Sequence, residues 1–316
     1  MKKITVVGAG GKVGTAISYA LVSRSIPTEL VLMDINEKKA RGEAEDLRHC
    51  AAFTDTMNIR YGDVEETANS DIIIISAGAP QEANITRLTP LKKNVAIYKS
   101  MVPDLAKNSP DAIFLIVTNP VDILTRLTIE LTGFPKERVI GSGTLLDTSR
   151  LKYYLGQTFN ISPNNIEGYM LGEHGDTQFA AWSLLRFAGI AFDDFLEMKG
   201  EKFTDSERKE LEDKIRKVAF EIVACKGGTD LAIGLSIATI VDCILNDKKL
   251  VYPLSSLIED AYGYSNICLS LPTVIGREGV LEKWVPKLND EEIQFFKASC
   301  EAMKEYTDIM FEELNK

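Results

Sequence analysis

The sequence predicts an α/β protein: a doubly wound parallel sheet over residues 1–141, followed by an α+β unit over residues 142–316. Three observations carry this. Short, uniformly apolar runs alternate with helix-period segments through the first 140 residues. Beyond residue 140 the rhythm changes to longer amphipathic helices and less regular strands. At 316 residues, with 45% hydrophobic and 26% charged side chains, the chain has the make-up of about two globular domains rather than of a disordered or fibrous protein.

The elements follow in order. Residues 4–7 (ITVV) are a β-branched run ending in glycine, and a helical pattern occupies 12–24. A second strand at 29–34 leads to a helix over 37–51 that begins behind Asn36, a residue suited to an N-cap. The blocks at 72–76 and 112–117 are too uniformly apolar for half-exposed strands and read as central strands of a sheet covered on both faces. With helices between them, these strands make right-handed βαβ units. In the second half, Thr204 and Glu207 form a capping box for a helix with Leu211, Ile215, Val218 and Ile222 on one stripe, stopping at Gly227 and Gly228. Asn289 and Glu292 repeat the device before a helix whose buried side carries Ile293, Phe296, Cys300, Met303 and Met310. The acids on these helices read as solvated surface, and no metal site is expected.

The formal charge of −10 falls wholly in residues 141–316, the first 140 being neutral. Such a field disfavours nucleic acid and anionic membranes as partners. Cysteines 50, 225, 243, 268 and 300 are odd in number and never in a CxxC pair, which argues against a disulfide framework or a zinc knuckle and for a reducing, cytoplasmic location. The first 20 residues have the small residues and lysines of a signal peptide, but glycines and Lys12 interrupt the apolar run. No stretch of 18 apolar residues suggests a membrane span.

Chemistry first shows at GAGGKVG, residues 8–14, between the first strand and helix. Gly8, Gly10, Gly11 and Gly14 let backbone N–H groups approach a pyrophosphate at a helix N-terminus, the arrangement of a Rossmann dinucleotide site. The spacing is one residue longer than GxGxxG. Asp34, at the end of the second strand, would accept hydrogen bonds from the adenosine ribose and repel a 2′-phosphate, favouring NAD over NADP. Only two histidines exist, so acid–base work by imidazole falls to His49 or His174. His49 lies on a polar helical stretch. His174, in GEHGD with Gly172 and Gly175 beside it, suits a tight loop that presents the ring. In GSGTLLDTSR (141–150), Asp147 and Arg150 share one helix face, either as a simple ion pair or as pocket groups.

VTNPVD (117–122), GSGTLLDTSR and GEHGD together resemble the signature segments of the lactate and malate dehydrogenase family, and the similarity extends to LPTVIGREG at 271–279. The resemblance implies that His174 exchanges the substrate hydroxyl proton, that Asp147 orients the imidazole, and that Arg150 clamps the substrate carboxylate. It places Asn119 near the nicotinamide ribose and the substrate oxygen, with a cis Asn119–Pro120 bond. It also places Thr229 in the substrate pocket, Ile233 against the nicotinamide, and Arg87, in a mobile loop, as the cation that polarises the carbonyl. At Gln81 malate dehydrogenases typically carry arginine and lactate dehydrogenases glutamine. Burying a second carboxylate without its cation costs several kcal/mol, against roughly 1–3 kcal/mol gained by fitting a methyl, so pyruvate and L-lactate are favoured. L-malate dehydrogenase, an L-2-hydroxyisocaproate type, and a non-catalytic NAD-binding protein are the alternatives. Glu82, Ala83 and Asn84 depart from the usual lactate dehydrogenase loop, and the longer glycine turn leans toward the malate side. Lys152 and Glu167 stand where fructose-bisphosphate-activated relatives carry arginine and histidine, so little or no activation by that phosphate is expected. A homodimer or homotetramer, with no additional N-terminal arm, completes the implied picture.

Overall fold

A computed structural model describes residues 2–55, 58–79 and 88–316; Gln81, Glu82, Ala83, Asn84 and Arg87 lie outside the described residues. The first half runs β1 (Lys3–Val7), α1 (Lys12–Ser23), β2 (Glu29–Met33), α2 (Glu37–His49), β3 (Asn58–Tyr61), β4 (Ile72–Ile75), α3 (Leu88–Asn108), β5 (Ile113–Ile116), α4 (Val121–Thr132) and β6 (Val139–Gly141). Asn36 caps α2 as expected, its side chain accepting from the Lys39 amide. That helix ends two residues early, at His49, and a 3₁₀ turn takes over. These strands are all parallel and lie in the order β3-β2-β1-β4-β5-β6. The chain therefore reverses its winding between β1 and β4, where a crevice opens beyond the strand ends.

The apolar blocks are buried on both faces because alternate residues feed different cores. Ile73 and Ile75 of β4 join Phe114, Tyr98 and Leu124 on one side, while Ile72 and Ile74 join Ile4, Ile17 and Leu21 on the other. Each such isoleucine contributes roughly 1.5–3 kcal/mol by leaving water.

The second half runs α5 (Leu145–Phe159), β7 (Ile166–Glu167), β8 (Met170–Leu171), β9 (Phe179–Ala180), β10 (Arg186–Phe187), β11 (Ile190–Ala191), α6 (Phe192–Lys199), α7 (Asp205–Lys226), α8 (Leu231–Leu245), β12 (Leu250–Leu257), β13 (Cys268–Gly276), β14 (Gly279–Lys283) and α9 (Asp290–Leu314). Both expected capping boxes are present. Hydrogen bonding does not stop at residue 141: β12 pairs antiparallel with β6 through Ser255 and Gly141, and β13 and β14 extend the sheet to nine strands among the described residues. Helices from this half also cover the first half's sheet. α8 supplies Ile237, Ile240 and Val241 to one core, and α9 supplies Phe296, Cys300 and Met303 to the other.

Two sequence expectations change. Only Leu211 and Ile215 of the α7 stripe are buried; Val218 and Ile222 are half-buried, and Phe220 and Val223 are exposed. The capping residue Glu292 is not on a solvated face. It is buried and accepts from the backbone amide and hydroxyl of Ser183 (2.9 and 2.5 Å), so its carboxylate ties α9 to the turn before β10.

Candidate active site

The glycine turn closes where β1, α1 and β4 meet. Gly8 has φ +85°, and a Cβ there would lie 2.6 Å from the Ala77 nitrogen; one on Gly14 would lie 2.2 Å from the Gly8 carbonyl oxygen. Neither position admits a side chain, so backbone lines the crevice. Gly11 is the N-cap of α1 and, lacking a side chain, leaves the first helical amides facing outward. Asp34, expected to end the second strand, is the first residue past β2, which stops one residue earlier at Met33. Its carboxylate accepts from the Gly10 amide (2.9 Å) and the Asn36 amide (2.8 Å), which fixes a negative charge against the turn. Lys12 donates to the Lys226 and Gly227 carbonyls (3.1 and 3.0 Å), bringing the α7–α8 loop that bears Thr229 against the turn. Gly234 packs α8 onto Ala16 of α1, so Ile233, in the first turn of α8, comes to the same region.

His174, Asp147 and Arg150 are brought together from two distant segments. The imidazole Nδ1 of His174 donates to Asp147 Oδ2 at 2.7 Å, and the Arg150 guanidinium donates to Asp147 Oδ1 at 2.8 Å. The ion pair and the pocket arrangement thus coexist on one carboxylate. A carboxylate only accepts, so the proton sits on Nδ1 and Nε2 is left for a substrate. The Asp147 contact engages one of the five guanidinium N–H groups. Asp147 is fully buried, and Gln178 also hydrogen-bonds its side chain.

The electrostatics follow from these contacts. Burial by itself would push the imidazolium of His174 down, but the Asp147 charge and hydrogen bond, with Asp122 behind them, raise its pKa above the usual value. Burial would raise the Asp147 carboxyl, yet the charge and hydrogen bond of His174, and then Arg150, hold it below the usual carboxylate range.

Gly172 and the Asn119–Pro120 bond, both expected from the sequence, hold this geometry together with Ser299, Ser270, Thr144, Asp122 and Asn94, which the sequence did not mark. Gly172 has φ +89°, and a Cβ there would meet the Ser299 hydroxyl at 2.4 Å. The Gly172 backbone pairs with Ser270 of β13, whose hydroxyl accepts from the Thr144 amide (3.1 Å) at the start of α5. One residue of β13 therefore positions both the His174 loop and the Asp147 helix. From the first half, Asp122 in the first turn of α4 accepts from the His174 backbone amide at 2.8 Å. Asn94 of α3 accepts from the Ala79 amide (2.7 Å) and donates to the Asn119 carbonyl (2.8 Å), and the Asn119–Pro120 bond is cis. Pro120, Asp122, His174, Met303 and Tyr306 line a small cavity at the junction. His49 lies exposed at the end of α2, far in sequence from any of these. A larger cavity between Lys136, Ile258, Leu271 and Lys283 lies near the start of β6, at the strand end opposite Asn119, and holds no such couple.

Comparison with known proteins decides the family. A family model described as the NAD binding domain of lactate/malate dehydrogenase matches residues 2–141, and one described as its alpha/beta C-terminal domain matches residues 144–314.

The chain belongs to the lactate/malate dehydrogenase family.

It is 43% identical over 302 residues to a Clostridium botulinum protein named L-lactate dehydrogenase, covering 96% of this chain and 95% of that one. It is 42% identical over 309 residues to L-lactate dehydrogenase 1 of Clostridium acetobutylicum, 98% of each chain. The crystal structure of a minor L-lactate dehydrogenase from Enterococcus mundtii, ligand-bound, superposes with a TM-score of 0.92 at 35% identity, covering 97% of this chain and 98% of that one. NAD is the cofactor of this family's first domain. The residues present fit it: the crevice at Gly8 and Gly14 is free of side chains, as close approach of a pyrophosphate would require, and the Asp34 carboxylate held against the turn could accept from a ribose diol. Among the described residues no group of three or more His, Cys, Asp or Glu side chains could hold a metal ion, and no helix is long and apolar enough to cross a membrane.

Proposed function

We propose that the protein is an NAD-dependent L-lactate dehydrogenase, converting pyruvate, NADH and a proton to L-lactate and NAD⁺ and the reverse. One observation carries this reading: Asp147 bridges His174 and Arg150, setting an acid–base group beside a carboxylate-binding cation. Bound NAD⁺ supplies the hydride acceptor at the nicotinamide. Arg150 binds the substrate carboxylate through its remaining N–H donors and orients C2. His174 takes the hydroxyl proton on Nε2, and Asp147 stabilises the imidazolium that forms; in the direction of pyruvate reduction the same imidazolium returns the proton. Asn119, Thr229 and Ile233 flank the substrate and the nicotinamide, and the family resemblance gives Arg87 the part of the cation that polarises the carbonyl. Gln81 is the residue to which the family resemblance assigns the choice of C2 substituent, and an uncharged amide suits the methyl of pyruvate better than a second carboxylate.

The reading extends to a cytoplasmic homodimer or homotetramer. Five unpaired cysteines agree with a reducing compartment. Leu231 and Leu235 of α8, Phe220 and Val223 of α7 and Tyr19 of α1 are exposed, and a second copy of the chain would remove that apolar area from water. The domain division is placed at 141/142, on the seam strand β6.

NADH oxidation measured side by side with pyruvate, oxaloacetate, phenylpyruvate and 2-oxoisocaproate tests the substrate. Pyruvate should have the highest kcat/KM. Preference for oxaloacetate would make the protein a malate dehydrogenase, preference for the branched acid a hydroxyisocaproate type, and no turnover of any a binding protein.

A further inference from the structure

The acid–base histidine is held from two sides, and only one of them is the Asp147 couple. Asp122 lies 52 residues before His174 in the chain, in the first turn of α4, directly after the Asn119–Pro120 pair. An acid in the first turn of a helix ordinarily complements the dipole or caps its own amides. Here Oδ2 reaches away from α4 to the His174 backbone amide at 2.8 Å, and the residue is 2% exposed. A buried carboxylate carries a large desolvation cost, and what it adds to this amide contact over an uncharged asparagine is a negative charge beside the loop that bears the imidazole.

We infer that Asp122 is a positioning residue for proton transfer: it fixes the His174 loop through the backbone amide and places a second negative charge behind the imidazole. The inference rests on the reading of His174 as the proton donor. Among the described residues, the charged groups acting on the ring are Asp147 and Arg150 from α5 and Asp122 from α4, and Glu173 of its own loop and Tyr306 of α9 line the same small cavity. Asp147 supplies the larger attraction and Asp122 a further one in the same direction, while Arg150 opposes both. Because α4 follows β5 and Asn119 while His174 follows β8, Asp122 also joins the nucleotide-binding half to the catalytic loop.

Asp122→Asn keeps an oxygen for the amide and deletes the charge; Asp122→Ala deletes both. Since the chain has only two histidines, ring carbon-13 NMR of the NAD⁺-saturated protein resolves His174 against His49, which is exposed and serves as an internal reference. In Asp122→Asn the His174 midpoint should fall by roughly 0.5–1 pH unit, with His49 unmoved and the basic limb of kcat/KM for pyruvate moving down in step. Asp122→Ala should lower kcat several-fold further. A His174 midpoint and basic limb unchanged in Asp122→Asn would overturn the inference while leaving the dehydrogenase reading intact. Full turnover by His174→Asn would overturn that reading, and the role of Asp122 with it. Should Asp122→Asn not fold, Asp122→Ser, which keeps an oxygen acceptor, carries the same expectations.

Discussion

Asp147 does two things with one carboxylate, and both depend on its burial. Its first oxygen holds Arg150 and its second holds the Nδ1–H of His174. Because the folded His174 pKa is raised, its stabilisation is complete below the ordinary 6.5 and is lost as pH rises through the raised value. The Asp147 pKa is lowered, so its share is complete above 3.8 and is lost as pH falls through the depressed value. In catalysis the same sign means that pyruvate reduction, which consumes imidazolium, persists into pH above 6.5, whereas lactate oxidation needs the ring neutral and strengthens at higher pH. Asp147→Asn should lower kcat by roughly 10²-fold or more and move the basic limb of pyruvate reduction to lower pH; stopped-flow pH profiles of the two proteins measure this. At the substrate end, Gln81→Arg should raise the oxaloacetate-to-pyruvate ratio of kcat/KM by roughly tenfold or more, since a buried carboxylate gains its counter-charge. An unchanged ratio would place selectivity elsewhere.

Among the elements, the helices matter for what their ends hold. α5 begins at residue 145 because Thr144 is bonded to Ser270 and to the Met170 carbonyl, and this start sets Asp147 and Arg150 one turn apart on the inward face. α9 begins at Asn289, and its capping acid Glu292 reaches across to Ser183. Glu292→Ala removes a buried acceptor from three donors, the Ser183 amide and hydroxyl and the Asn289 amide. It should cost roughly 2–3 kcal/mol of stability, read as a lower denaturation midpoint in urea with the slope unchanged. The activity of the folded fraction should change little, as no Glu292 contact touches His174. The box itself was legible as S/T/N-x-x-E spacing. Its partner was not, because Ser183 is 109 residues away and only packing brings it near.

For the whole molecule, the two halves share one sheet and exchange helices. α8 and α9 from the second half cover the two faces of the first half's strands, so the active site forms where segments from both halves meet. Exposed apolar residues on α1, α7 and α8 argue for self-association, and Leu235→Lys should shift the protein toward monomer in light scattering while a surface Lys→Glu change elsewhere does not. At the proposed effector position, Lys152 and Glu167 interact and the Lys152 amine is pushed below its usual value by burial, with Glu167 partly restoring it. An acid beside a phosphate site repels the ligand. Fructose bisphosphate should therefore leave the half-saturating pyruvate concentration unchanged, and a several-fold fall would contradict this.

What the sequence determined by itself is local: β-branched runs, helix periods, caps, a glycine turn followed by an acid twenty residues on, and a histidine between glycines. These depend on neighbours a few positions apart, and each stands in the structure within a residue or two of its expected place. Signature segments such as GSGTLLDTSR and GEHGD also named the family's chemistry. What only tertiary structure decided is how segments distant in sequence share one charge. Asp147 meets both Arg150 and His174, Asp122 reaches His174 from the other half, and Ser270 holds two catalytic segments at once. Pairing of this kind has no signal in spacing, because a buried carboxylate or hydroxyl reads in sequence like any surface polar residue. Burial, by removing the water that would otherwise compensate each charge, is what makes those residues decisive.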